Sequence, residues 1–167
     1  MLKDVLTHNL DVIFCGTAKG ETSARLGYYY AGPGNQFYPI LYKTGLTDKL
    51  LLPSNCYDIN KYKIGLTDLV HAQSGNDNQL HDQNYDIKSF KTKIVKYNPK
   101  FIAFNGKKSA AFALGFKGKT NKVQYGLQSQ KIGDTTLFIL PSTSGSARGF
   151  WDEGYWVELS NLITNIE

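Results

Sequence analysis

Between Gly16 and Asn35 the chain reads GTAKGETSARLGYYYAGPGN, and most of the groups suited to holding a flat ligand lie in it. Gly16 and Gly20 permit tight turns and let backbone N–H groups come close to a ligand. Thr17, Ala18 and Lys19 stand between them. Three consecutive tyrosines, Tyr28 to Tyr30, offer flat stacking faces. A second turn, Gly32-Pro33-Gly34, comes directly before Asn35, whose amide both donates and accepts. A planar, hydrogen-bonding ligand such as a nucleobase suits this set. Each residue also has a plainer reading. Asn35 after Gly-Pro-Gly suits a helix cap, Tyr30 suits a ring packed beneath the loop, and Lys19 suits a solvated charge.

The elements that must position these residues follow from the hydrophobic pattern. Asp11 to Cys15 is a short apolar run ending at Gly16, as a buried strand ends at a ligand-binding edge. Asn35 to Thr44 carries helical spacing, with Pro39 tolerated in the first turn and Gly45 as a stop. Residues from Asp48 to Ile64 read as irregular with a short helix, and the polar run from His71 to Asn84 as loop or lid. Asp86 to Tyr97 reads as helix and Lys100 to Phe104 as a second buried strand. Lys107 to Leu114 is a helix ended by Gly115. Asn121 to Tyr125 and Thr135 to Leu140 read as strands, joined by a connection around Gly126 to Gly133. Asp152 to Ile166 closes the chain as a helix with acidic residues at its N-terminus. Met1 to Leu10 is a lead-in.

This alternation specifies a layered α/β domain, residues 1–167 as one unit, around a mostly parallel sheet. Ligands in such sheets sit beyond the carboxyl ends of the strands. Three loops fall there: Gly16 to Asn35, Asn105 to Lys108, and Ser142 to Arg148.

Composition narrows the function. The chain has 41% apolar and 20% charged residues, as a soluble globular protein does. Nineteen basic against fourteen acidic residues give a charge of +5, compatible with nucleic acid. Two cysteines, Cys15 and Cys56, exclude a four-thiolate zinc or iron–sulfur site within one chain. His8, His71 and His81 show no metal spacing. No signal peptide or membrane span of about 18 apolar residues is present, so an intracellular compartment is expected.

Five pieces, GTAKG, AGPGNQFY, KFIAFNGK, YGLQSQKI and LPSTSGSAR, follow one another in register. With them the chain resembles the mismatch-specific uracil- and thymine-DNA glycosylases of the uracil-DNA glycosylase superfamily, over roughly Asp11 to Leu162. The resemblance implies a three-layer α/β/α fold, no metal or other cofactor, and a monomer acting on double-stranded DNA. It implies a damaged or mismatched base turned out of the stack into a pocket. Gly16, Thr17, Ala18, Gly20 and Tyr30 would bind that base, Tyr30 by stacking. A glycine at 20 leaves room for a 5-substituent. Lys19, Ser142, Ser144, Gly145, Ser146 and Arg148 would bind DNA, the last loop entering the duplex.

One departure stands out. The first motif of this family usually carries Asn followed by Pro, and that Asn positions the attacking water; here Ala18 and Lys19 occupy those places. The hypoxanthine-DNA glycosylase branch also lacks the Asn, and there the Asn of the second motif, matching Asn35, is taken to carry catalysis. Asn35 is therefore the expected catalytic residue, with Glu21 and Asp68 as alternative water holders otherwise suited to surface, loop or cap roles. The expected activity is hydrolysis of the N-glycosidic bond of uracil, with hypoxanthine or thymine as further substrates. The alternative is a weak or inactive binder of damaged DNA on the same fold.

Overall fold

A computed structural model describes residues 2–70 and 86–166. The loop or lid expected over His71 to Asn84 lies outside the described residues.

The described residues form a five-stranded sheet in the order β2-β1-β3-β5-β4. The strands are β1 (Val12–Gly16), β2 (Ile64–Asp68), β3 (Phe101–Asn105), β4 (Gly126–Ile132) and β5 (Thr135–Leu140). Strands β2, β1, β3 and β5 run parallel, and β4 pairs antiparallel with β5 at the edge. The helices are α1 (Glu21–Leu26), α2 (Phe37–Lys43), α3 (Ile87–Tyr97), α4 (Lys107–Ala113) and α5 (Glu153–Asn165).

Strand β1 is buried along its whole length, so both faces of the sheet must be covered. Alternation along β1 divides its side chains between two cores. Val12 and Phe14 join Phe37, Leu41, Trp156 and Leu159 on the α2 and α5 side. Ile13 and Cys15 join Phe90, Ile94, Ala110 and Phe112 on the α3 and α4 side. The result is three layers with a sheet in the middle, as the alternating pattern requires. Trp156 anchors one side: it is fully buried, stacks on Phe14 at 5.5 Å, and donates its indole N–H to the Pro141 carbonyl at 3.1 Å. That bond ties α5 to the end of β5, where the last loop begins.

The structure corrects the chain reading in several places. Asn121 to Tyr125 is not a strand: Thr120–Lys122 is a 3₁₀ turn, and the strand is Gly126–Ile132, the stretch read as a connection. β4 is an edge strand whose middle residues are solvent-facing and polar, so no apolar run announces it. It returns into β5 through the two-residue turn Gly133-Asp134, Gly133 having φ +58°. Helix α1 lies inside the stretch read as one continuous loop. The lead-in contributes an antiparallel bridge, Val5 to Leu66, with N–H···O bonds of 2.9 Å in both directions.

Candidate active site

The carboxyl ends of β1, β3 and β5 deliver the three loops to one edge of the sheet, and Thr143 joins them. Its backbone N–H donates to Asn105 Oδ1 at 2.9 Å, and its hydroxyl oxygen accepts from Asn105 Nδ2 at 2.9 Å. Its carbonyl accepts from the Gln36 N–H at 2.9 Å. Thr143 is 1% exposed, so each bond acts away from water, where leaving any of them unmade would be costly. The last loop is thereby clamped to both others.

Two glycines allow the loops to touch. A β-carbon on Gly145 would stand 2.9 Å from the Pro33 carbonyl oxygen. A β-carbon on Gly34, which has φ +74°, would stand 2.6 Å from an Arg148 guanidinium nitrogen. Arg148 therefore lies back over the Gly-Pro-Gly turn, and the final loop covers the first. Ser144 accepts from the Ser146 N–H at 3.3 Å and its hydroxyl lies 2.9 Å from that of Ser146. Ser142 accepts from the Ser144 N–H at 3.2 Å. The serines thus shape a turn, while Ser146 and Arg148 remain exposed.

Asn35 begins α2. Its Oδ1 accepts from the Phe37 N–H at 3.0 Å, a local bond that starts the helix. The N-cap position itself belongs to Gln36, so Asn35 forms a turn one residue before the cap and does not occupy the cap. Tyr30 holds a left-handed backbone conformation, φ +55°, uncommon for a bulky residue. Its ring packs on Phe37 with centroids 4.0 Å apart. Its hydroxyl is buried without a hydrogen-bond partner; the nearby Asn105 amide only partly opposes the rise in its pKa caused by burial and by Asp68. Tyr29 is core, donating to the Lys3 carbonyl at 3.1 Å, and Tyr28 packs beside Tyr57.

Gly16 ends β1, and Thr17 is buried just after it. Ala18 is half-buried against the α3 and α4 core, and Gly20, exposed with open space where a β-carbon would stand, precedes α1. Glu21 is exposed in the first turn of α1.

Asp68 is neither loop nor cap. It is the last residue of β2, aligned with Gly16 across the sheet and 6% exposed. Burial, and then Asp4, push its carboxyl up to about 7, against the opposing pull of Lys19, the Gly16 backbone and Lys93. Thr143 is the site residue that motif reading did not single out, although its loop was marked; Asp68 was read only as an alternative water holder, and Asn105 only as the start of a loop. The signal for Asp68 was a polar residue closing the run IGLTD, the same pattern as Asn105 closing KFIAFN.

A separate cavity of about 560 Å³ lies between the N-terminal segment and α3, with Asp4, Leu6, Lys88, Thr92, Lys93 and Tyr97 among its walls. None of the three loops contributes to it. Among the described residues no helix is long and apolar enough to cross a membrane.

A protein of Methanosarcina acetivorans, provisionally described as a uracil DNA glycosylase and solved by NMR, has a similar fold. The TM-score is 0.66 at 21% sequence identity, covering 98% of this chain and 95% of that one. That likeness concerns the fold. The sequence profile of the uracil DNA glycosylase superfamily matches residues 3–159, nearly the whole chain, and on that match the chain belongs to the uracil DNA glycosylase superfamily.

Proposed function

We propose that the protein is a monofunctional DNA glycosylase that hydrolyses the N-glycosidic bond of a deaminated or mismatched base turned out of the duplex. Uracil is the first substrate, with hypoxanthine and thymine within the same pocket. One observation supports this reading: in a chain of this superfamily, the three strand-end loops are joined at the buried Thr143, which bonds Asn105 and Gln36, the neighbour of Asn35.

The chemistry asks for little from the protein. As the C1′–N bond breaks, its electron pair goes to the base and the sugar becomes cationic, a strong electrophile for water. Water therefore needs positioning more than activation, and a neutral amide suffices. Asn35 is the proposed catalytic residue, orienting water or bonding the base from the start of α2. The base rests among Gly16, Thr17, Ala18 and Gly20, on the face of Tyr30 turned away from Phe37. Backbone N–H groups around Thr17 and Tyr30 are the proposed donors to the departing base. Lys19, Ser142, Ser144, Gly145, Ser146 and Arg148 form the proposed DNA-binding rim.

A second reading, a catalytically weak binder of damaged DNA, is favoured by two details. Ala18 has no polar group, and Asn35 Oδ1 is already engaged by the Phe37 N–H. Single-lesion duplexes carrying uracil, hypoxanthine, mismatched thymine or ethenocytosine, followed by alkaline strand cleavage, separate the two. Tight binding with no abasic product on any lesion would establish the binder. Asn35→Ala is expected to remove most turnover while duplex binding persists; Asn35→Ser, which keeps an acceptor for Phe37, controls for the lost hydrogen bond of about 1 kcal/mol. Ala18→Asn is expected to raise uracil excision.

A further inference from the structure

Two buried polar side chains converge on one point at the carboxyl edge of the sheet. A β-carbon on Gly16 would stand 2.9 Å from Asp68 Oδ1 and 3.8 Å from the Tyr30 hydroxyl. That hydroxyl is buried without a hydrogen-bond partner, and Asp68 is 6% exposed. Glycine at 16 is what lets the Asp68 carboxyl occupy this space, with the Tyr30 hydroxyl at ordinary contact distance from it. The Tyr30 hydroxyl and an Asp68 carboxyl oxygen therefore both border the space that a side chain at position 16 would fill. That space adjoins Tyr30, the ring proposed above to carry the base.

We propose that Asp68 is a second catalytic residue, donating its carboxyl O–H to a carbonyl oxygen of the departing base. This rests on the glycosylase reading above and names the base chemistry it serves: uracil, hypoxanthine and thymine all carry a ring carbonyl on which the charge of the leaving group collects. The C1′–N bond breaks and its electron pair passes into the base. The Asp68 proton is shared with the carbonyl oxygen, and the water that adds at C1′ releases its own proton to solvent. A neutral carboxylic acid in a dry site, with a tyrosine hydroxyl beside it, is an established way to stabilise such an oxygen.

The surroundings hold the acid neutral at the start of the reaction. Asp68 is faced by Asp4 from the N-terminal segment, Lys93 from α3, Lys19 from the first loop and Cys15 from β1, with Tyr29 and Tyr30 on the remaining side. The thiol and both hydroxyls are held neutral, their pKa values raised by burial first. Asp4 opposes ionisation of Asp68 while Lys19 and Lys93 favour it, and burial exceeds them all, so the carboxyl is pushed up to about 7. An acidic donor of this kind works below that value and fails above it. A carboxylate that activated water would do the reverse.

The test is single-turnover excision of uracil and hypoxanthine from duplexes between pH 5.5 and 9, for the wild type, Asp68→Asn and Asp68→Leu. The wild-type rate is expected to fall as pH rises through about 7. Asp68→Asn keeps a donor at every pH, so its profile should be flat and should overtake the wild type at high pH. Asp68→Leu should lose about 100-fold at pH 6, the usual cost of one such donor. Circular dichroism melts establish that each variant is folded, and the Asp68→Asn profile decides the case if Asp68→Leu does not fold. A wild-type rate that rises with pH, with Asp68→Asn inactive, overturns the proposal in favour of a general base. An Asp68→Asn profile that keeps the wild-type fall overturns it while leaving the glycosylase reading intact. Absence of excision by the wild type on every lesion overturns both.

Discussion

A carboxyl group with almost no solvent around it makes stability depend on pH. Asp68 has its folded-state pKa raised from 3.8 to about 7, so the folded protein keeps that proton where the unfolded chain has lost it. The associated stability is fully present below pH 4 and is lost as pH rises through about 7. Ionising Asp68 in the fold therefore costs about 4 kcal/mol above neutrality, from roughly three pKa units at 1.36 kcal/mol each. Asp68→Asn removes that cost. Urea midpoints at pH 5 and pH 8 should show the variant gaining on the wild type at the higher pH; an equal difference at both would mean the carboxyl is solvated. Gly16 belongs to the same residue-scale account. Gly16→Ala would push a methyl group to 2.9 Å from Oδ1, and is expected to cost about 1–3 kcal/mol and displace the carboxyl.

At the scale of elements, the site depends on three loops keeping their relative positions, and the clamp between them is one residue wide. Asn105→Ala would leave the Thr143 N–H and hydroxyl without their side-chain partner, at about 1–3 kcal/mol. Because β5 is held independently by pairing with β3 and β4, the loss should be local to the loop. Hydrogen exchange at Thr143 and Ser144 should accelerate while exchange in β5 stays slow. Uniform acceleration would instead mean that Asn105 supports the sheet itself. The strand ends also explain why Gly16, Asp68, Asn105 and Pro141 matter together: each is the last residue of a parallel strand, or the first beyond it. Their side chains or following turns lie where the sheet stops supplying hydrogen bonds.

At the scale of the whole molecule, a net charge of +5 bears on association more than on fold. If DNA lies along the rim that includes Arg148, binding weakens with salt by counterion release. Arg148→Ala should then lower the slope of log affinity against log salt by about 0.9 if it neutralises one phosphate. An unchanged slope would leave Arg148 as a structural contact over Gly34. Trp156 serves this scale too, linking α5 to Pro141 at the end of β5. The fold class needed none of these details. Val12 to Gly16 and Phe101 to Asn105 are apolar runs too short for helices and bounded by turn residues, and both are strands. Asp86 supplied a cap and three-four spacing the rest of α3. Patterns failed where burial is one-sided or local. β4 is polar because it is an edge, and α1 is six residues long, too short for its period to show. What the sequence alone determined was the layered sheet and the family, since hydrophobic period and motif order are properties of a chain. The tertiary structure alone decided that Asp68 faces Gly16 and Tyr30, residues 52 and 38 positions away in the sequence. Strand register and burial, which raise its pKa, exist only once distant strands lie side by side.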